Sequence, residues 1–242
     1  MCAIHMIRHG QAGSRDNYDL LSELGQQQSR MLGGYLAERK LVFDAVYAGS
    51  LNRQRRTAEL ALEALRAAGQ NLKEIPEIVV DERWNEFSLL DVYRKLAPRL
   101  VADSEEFACD YEQMQSDLIS DPHTTRGAAG RCDRALIEAW MGNCYPDYDG
   151  QLWEEFRARA HSGFEDLSMR DPNDNVAIFT SATPIAIWVG AALELSNEKI
   201  LRLMAVLYNS GISTLKIRRG ELLLLDFNTT PHLTSPAWIT FR

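Results

Sequence analysis

Along the first eighty positions the apolar residues alternate between two rhythms. Residues 3–8 (Ala-Ile-His-Met-Ile-Arg) form a short apolar run of the length of a buried strand. After a polar loop, Leu24, Met31, Leu32, Tyr35 and Leu36 recur on one helical face behind Ser22, a residue type that caps helix N-termini. Residues 43–47 (Phe-Asp-Ala-Val-Tyr) predict a second strand. Ser50 is expected to cap the next helix, which runs to about Ala68, where Gly69 stops it. Residues 77–80 (Glu-Ile-Val-Val) predict a third strand. This β-α-β-α-β order with short links implies a mostly parallel sheet with helices on both faces.

Between Glu86 and Gln151 the rhythm breaks and no convincing strand is found. Helical patches occur near 104–119 and 131–141, separated by Pro122 and a Gly-Ala-Ala-Gly stretch at 127–130. We read about 88–150 as a helical insertion, suited either to covering a site at the sheet edge or to forming a homodimer surface. Regular order resumes with a helix at 151–168 and a strand at 175–181. An apolar helix opened by Pro184 and another capped by Ser196 come next. Residues 211–217 and 221–227 flank Arg218-Arg219-Gly220 as a hairpin would. The expected architecture is a single α/β domain over 1–242. It has three layers (α/β/α), a mostly parallel sheet with an antiparallel edge, and the helical insertion.

Composition narrows the function classes. With 45% hydrophobic and 25% charged residues, the chain is ordinary globular protein rather than a disordered one. The net charge of −8 disfavours a nucleic-acid or membrane-surface binder. No apolar run reaches membrane-spanning length, and Arg8 interrupts the segment where a secretory signal needs an apolar core. Cys2, Cys109, Cys132 and Cys144 lack metal-ligand or disulfide-framework spacing and suit a reducing cytoplasm.

Chemistry-bearing residues gather at predicted strand ends, where open α/β sheets bind ligands. Arg8-His9-Gly10 ends the first strand: a His, a cation and a glycine that admits close backbone approach suit an anionic substrate, although a solvated loop with an incidental His reads similarly. Arg53 falls in the first turn of the next helix. That turn attracts anions and mildly disfavours cations, so Arg53 there needs a reason, and its planar fork fits phosphate oxygens. Arg55 and Arg56 read as a solvated basic face. Glu86 follows the third strand beside Trp84. It is either a surface acid or a carboxyl whose partial burial lets it donate a proton.

Together, Arg8-His9-Gly10, the segment Ser50-x-x-Arg53-x-x-x-Thr57-Ala58 and Glu86 resemble the histidine phosphatase superfamily, in its phosphoglycerate-mutase-like branch. Gly25-Gln26-Gln27-Gln28 and the late Phe227-Asn228 and His232-Leu233 add to the likeness. The resemblance implies that His9 is phosphorylated transiently, that Arg8 and Arg53 hold the phosphoryl oxygens, and that Glu86 protonates the leaving oxygen and then activates water. The guanidinium groups would supply the positive charge, so no metal and no cofactor are expected.

One departure stands out. Such proteins usually carry a second His after the fourth strand, in a pattern like S-H-G-G-x-I. Here the segment reads Thr180-Ser181-Ala182-Thr183-Pro184-Ile185, which puts Ser181 or Ala182 at that place. Ser181 offers one neutral donor, and the N–H groups of Ala182 and Thr183 open the next helix. Gln11 and Asn17, in the loop after His9, are candidates for substrate contact. No other His is expected to substitute: His5 reads as structural, His161 as packed or on the surface, His123 lies in the insertion and His232 in the tail. The expected function is hydrolysis of a small phosphate monoester. The alternatives are a catalytically weak phosphate-binding or interaction module, and a mutase.

Overall fold

In a computed structural model of the chain, residues 2–68, 75–121, 124 and 126–241 are described. Gly69 and His123 lie outside them. The chain divides into two compact units, one of Met1–Gly13, Asn17–Glu86 and Arg159–Arg242, the other of Ser14–Asp16 and Phe87–Ala158.

The first unit carries a six-stranded mixed sheet in the order β3-β2-β4-β1-β5-β6. Its strands are β1 (Ala3–Arg8), β2 (Ala45–Ala48), β3 (Ile78–Val80), β4 (Asn175–Thr180), β5 (Ile212–Arg218) and β6 (Glu221–Thr229). The first four pair in parallel, and β5 joins β1 antiparallel, so the expected antiparallel edge is present. The β5–β6 turn uses positive φ at both Arg219 (53°) and Gly220 (81°), which matches the right-handed twist of the flanking strands.

Helices α1 (Glu23–Glu38) and α2 (Asn52–Ala67) pack on each other and on one sheet face. Their shared core joins Leu32, Leu36, Ala58, Ala61, Leu62 and Leu65 to Ile7, Val46, Ala177 and Phe179. Ile4, Met6, Val176 and Ile178 alternate with those strand residues and are equally buried, so they face the other side. Helix α8 (Ala182–Ala192) packs against β1 and β6 and buries Ile185 and Trp188, and α9 (Asn197–Met204) packs on α8. As expected, Ser22 caps α1, accepting the Gly25 N–H.

Several local expectations are corrected. Ser50 does not cap α2. The cap position is Leu51, without a side-chain bond, because Ser50 is tied to Asn85 by two hydrogen bonds of 2.7 and 2.8 Å. Pro184 is the third residue of α8, which opens at Ala182. The helix expected at 151–168 is two, α6 (Trp153–His161) and α7 (Gly163–Ser168). Gly163 lies against the Trp84 indole so closely that a Cβ would collide with it.

The second unit is helical, with α3 (Leu89–Asp103), α4 (Glu105–Ser120) and α5 (Ala128–Met141). The sequence reading anticipates α4 and α5 but passes over α3, which runs through Pro98. Aromatic rings, among them Tyr93, Phe107, Tyr111 and Trp140, hold this unit together. Tyr111 stacks on Tyr93 and Phe107, and Trp140 stacks on Phe87 at 4.6 Å. Asp133 is bound by Arg15 at 2.9 Å and by the Tyr93 hydroxyl at 2.5 Å. Asp110 pairs with Arg131 at 2.6 Å. Among the described residues no helix is long and apolar enough to cross a membrane.

Candidate active site

Strands β1 and β4 are neighbours in register, with Arg8 opposite Thr180. Their carboxyl ends deliver His9 and Ser181 side by side, while the helices that follow, α1 and α8, attach from different stretches of the chain. His9 is 1% exposed. Its backbone is pinned on both sides: its N–H donates to Thr180 at 2.9 Å, and its carbonyl accepts from Ser210 N–H at 3.1 Å and Asn209 Nδ2 at 3.4 Å.

The ring's protonation follows from its partners. Nδ1 lies 2.7 Å from the Gly10 carbonyl oxygen, which can only accept, so Nδ1 carries a proton. Nε2 faces Arg53 Nε at 3.3 Å, and that guanidinium nitrogen can only donate. Nε2 therefore holds a lone pair. Burial first, and the Arg53 and Arg8 charges next, push the imidazole pKa well below its ordinary value, so the ring is neutral at physiological pH. A neutral imidazole with a fixed tautomer and an in-plane lone pair is a nucleophile.

Arg53 is 6% exposed, in the first turn of α2 as expected. Its Nη1 pairs with Asp19 at 3.0 Å, and its guanidinium lies 4.8 Å above the Tyr18 ring. Asp19 also accepts the Asn52 N–H at 3.1 Å, so a carboxylate occupies the N-terminus of α2. Thr57 fastens α2 to the loop after β1, accepting the Gly10 N–H at 3.0 Å and donating to the Arg53 carbonyl at 2.7 Å. Arg8 is 5% exposed; its Nη1 donates to the Leu207 carbonyl and, at 2.6 Å, to that of Phe241. Its Nε is buried with no hydrogen-bond partner among the described residues. Burial lowers the Arg8 pKa, opposed by Tyr18 and Glu86. An unpaired buried guanidinium N–H beside a neutral imidazole suits an anion's oxygen.

Glu86 follows the 3-10 turn Glu82–Trp84 and is half-buried. Its Oε2 accepts the Thr183 N–H at 3.1 Å, which brings the carboxylate to the N-terminus of α8. Arg159 binds the carbonyls of Glu82, Arg83 and Asn85 and so holds the turn before Glu86. Ser181 is 1% exposed at the N-cap of α8, and its Oγ accepts from Gln54 at 2.8 Å.

Arg8, His9, Arg53, Glu86 and Ser181, with Ala182 beside the last, thus gather at the carboxyl end of the central strands. The remaining two candidates have contacts of their own. The Gln11 Oε1 accepts the Ser22 hydroxyl at 2.8 Å and supports the start of α1, and Asn17 is exposed, its backbone closing a turn to Leu20. Among the described residues the other histidines serve packing. His5 meets the edge of Phe43, His161 stacks on Phe164, and His232 bonds Ser210 at 2.8 Å. Among the described residues no group of three or more His, Cys, Asp or Glu could hold a metal ion.

The sequence reading missed Tyr18, Asp19 and Gln54. Tyr18 and Asp19 sit in a polar loop with no periodicity, so only their nearness to His9 in the chain hinted at them. Gln54 left a better trace: it shares the stripe Gln54, Ala58, Ala61, Leu65, and a polar residue on a buried helical face signals a specific partner.

Residues 4–136 and 121–230 match the model of the histidine phosphatase superfamily (branch 1). A search of the curated proteins finds no match. Among solved structures, the chain is similar to a phosphoserine phosphatase variant from Entamoeba histolytica in complex with phosphoserine. The two share 18% identity and a TM-score of 0.61, over 96% of this chain and 100% of the other. It is also similar to a putative alpha-ribazole-5'-P phosphatase from Escherichia coli K-12 (16% identity, TM-score 0.62, covering 95% and 98%). A phosphoglycerate mutase from Bacillus anthracis shares the fold at 15% identity and a TM-score of 0.57, covering 96% and 94%.

Proposed function

The chain belongs to the histidine phosphatase superfamily, and on that premise we propose that it hydrolyses a small phosphate monoester through a phosphohistidine on His9. The observation that carries this reading is the neutral His9 ring, whose Nε2 lone pair faces the buried Arg53 guanidinium at 3.3 Å, with the buried Arg8 charge near enough to hold the ring unprotonated.

In the first step the Nε2 lone pair attacks phosphorus in line as the bond to the ester oxygen breaks. Glu86 gives that oxygen a proton, and an alcohol leaves. In the second step Glu86, now a carboxylate, takes a proton from water. The resulting hydroxide displaces phosphorus from Nε2, the electron pair returns to the ring, and inorganic phosphate is released. Arg8 and Arg53 hold the non-bridging oxygens throughout with charge-assisted hydrogen bonds, which are strongest in a water-poor site. Ser181 and the N–H of Ala182 add neutral donors from the start of α8. Two guanidinium groups supply the charge that a magnesium ion supplies in other phosphoryl transfers, so the reaction is metal-independent. Four free cysteines fit a reducing, cytoplasmic setting.

A second reading is a phosphate-binding module with weak turnover. It is favoured by Asp19, whose carboxylate already sits on Arg53. Turnover of an aryl phosphate in the presence of a chelator separates the two. Hydrolysis is expected to persist, and His9→Ala is expected to abolish it while the protein stays folded. Undiminished hydrolysis by His9→Ala would sink the phosphohistidine reading. Phosphate binding by the wild type without turnover would favour the module.

A further inference from the structure

One fully buried amide has no part in the chemistry above. Gln54 is 0% exposed and follows Arg53 on the buried face of α2. Its orientation is dictated by its neighbours. A single terminal atom lies 3.0 Å from the Trp84 carbonyl oxygen and 2.8 Å from Ser181 Oγ. A carbonyl only accepts, so that atom must be the NH2 nitrogen. One of its hydrogens goes to Trp84 and the other to Ser181. The Thr180 hydroxyl donates to the same Trp84 oxygen at 2.6 Å, so both lone pairs of that carbonyl are engaged.

The consequence falls on Ser181. Its oxygen accepts from Gln54, so its own hydrogen must point elsewhere. Ser is a residue type that caps helices, and Ser181 stands at the N-cap of α8, yet its side chain makes no capping bond. It follows Thr180, whose carbonyl takes the His9 N–H, and the parallel register continued by one residue sets it beside His9. The other end of the amide strengthens the point. Gln54 Oε1 is buried with no hydrogen-bond partner among the described residues, an arrangement that burdens folding and that an apolar side chain of the same length would avoid.

We propose that Gln54 is a positioning residue for phosphoryl transfer. It holds the Ser181 oxygen as an acceptor, so that the hydroxyl hydrogen is presented to a non-bridging oxygen of the phosphoryl group on His9. No bond is made or broken at either residue. The pair acts as a relay of two hydrogen bonds, each polarising the next. The proposal rests on the phosphohistidine reading for the identity of the reacting group.

A double-mutant cycle tests it, with Ser181→Ala, Gln54→Met and their combination. Four quantities are measured: kcat and KM for an aryl phosphate, the Kd of orthovanadate by calorimetry, and Tm. Ser181→Ala is expected to lower kcat by about 100-fold, the low end for loss of one transition-state donor. Gln54→Met is expected to lower kcat about tenfold with KM nearly constant, and to add nothing in the Ser181→Ala background. Orthovanadate binding is expected to weaken in the same non-additive pattern while Tm holds or rises.

Gln54→Glu gives a second handle, since its size is conserved. Its ionised carboxylate would accept the Ser181 hydrogen and withdraw it from the substrate, so activity falls at neutral pH and recovers as the pH drops and the group protonates. Independent, multiplying losses in the cycle would overturn the positioning role, as would wild-type kcat and orthovanadate affinity in Gln54→Met. Such a result with His9 still phosphorylated would leave the wider reading intact. Coupling in orthovanadate binding without a phosphorylated His9 would do the reverse.

Discussion

His9 owes its reactivity to three neighbours that leave it one protonation state: a carbonyl on Nδ1, a guanidinium N–H on Nε2, and burial that penalises a charged ring. Arg53 is less settled, because the Asp19 carboxylate holds the Nη1 that a phosphate would claim. Asp19 is 52% exposed, so the pair is screened and worth no more than about 1 kcal/mol. Asp19→Asn is therefore expected to lower KM for an anionic substrate by up to about fivefold with little change in kcat, the advantage shrinking as salt is added. A raised KM would mean that Asp19 orients Arg53 rather than competing for it. Legibility at this scale divided by residue type. Arg8, His9 and Arg53 were readable because cations and imidazoles at strand ends have few structural uses. Gln11 looked the same as Asn17 in sequence, and only the Ser22 bond shows that it builds α1.

At the scale of elements, most of the pattern was readable because strands and helices bury opposite rhythms of side chains. The errors have local causes. Ser50 lost its capping role to a pair of bonds with Asn85, thirty-five positions along the chain, which no local pattern reveals. Helix α3 was hidden by Pro98, normally a helix breaker, and by having only Val92, Leu96 and Ala97 buried. Two elements carry predictions of their own. The start of α1 touches the loop after His9 so closely that a Cβ at Gly25 would collide with the Gln11 carbonyl. Gly25→Ala is thus expected to destabilise the protein by about 1–3 kcal/mol, read from denaturant unfolding, and an unchanged midpoint would show that the loop yields freely. In the β5–β6 turn, Arg219 holds a positive φ that Asn tolerates better, so Arg219→Asn is expected to raise stability by about 0.5 kcal/mol.

At the scale of the molecule, the buried histidines tie stability to pH. His232 is pushed down to about 4 by burial, below its ordinary 6.5. Its folded pKa is depressed, so the unfolded chain takes up the proton first. The stability it contributes is fully present above about pH 6.5 and is lost as the pH falls toward 4. The shift corresponds to about 3 kcal/mol. His232→Gln is expected to lose correspondingly less stability between pH 7 and pH 4, and equal slopes for the two proteins would show that His232 titrates normally. His5 and His9 shift in the same direction, so the variant retains part of the dependence. The fold was legible as a whole because its parallel core and antiparallel edge follow from element order. The family was legible because Arg8-His9-Gly10 ends a strand, Arg53 begins a helix and Glu86 lies in the connection after a third strand.

The most direct measurement of the central claim is rapid quenching of the enzyme during turnover of a radiolabelled aryl phosphate, followed by mapping of the label. The expected result is one phosphoryl group on Nε2 of His9, stable in base, lost in acid and absent from His9→Ala. Steady hydrolysis with no labelled protein, or with the label on another residue, would contradict it.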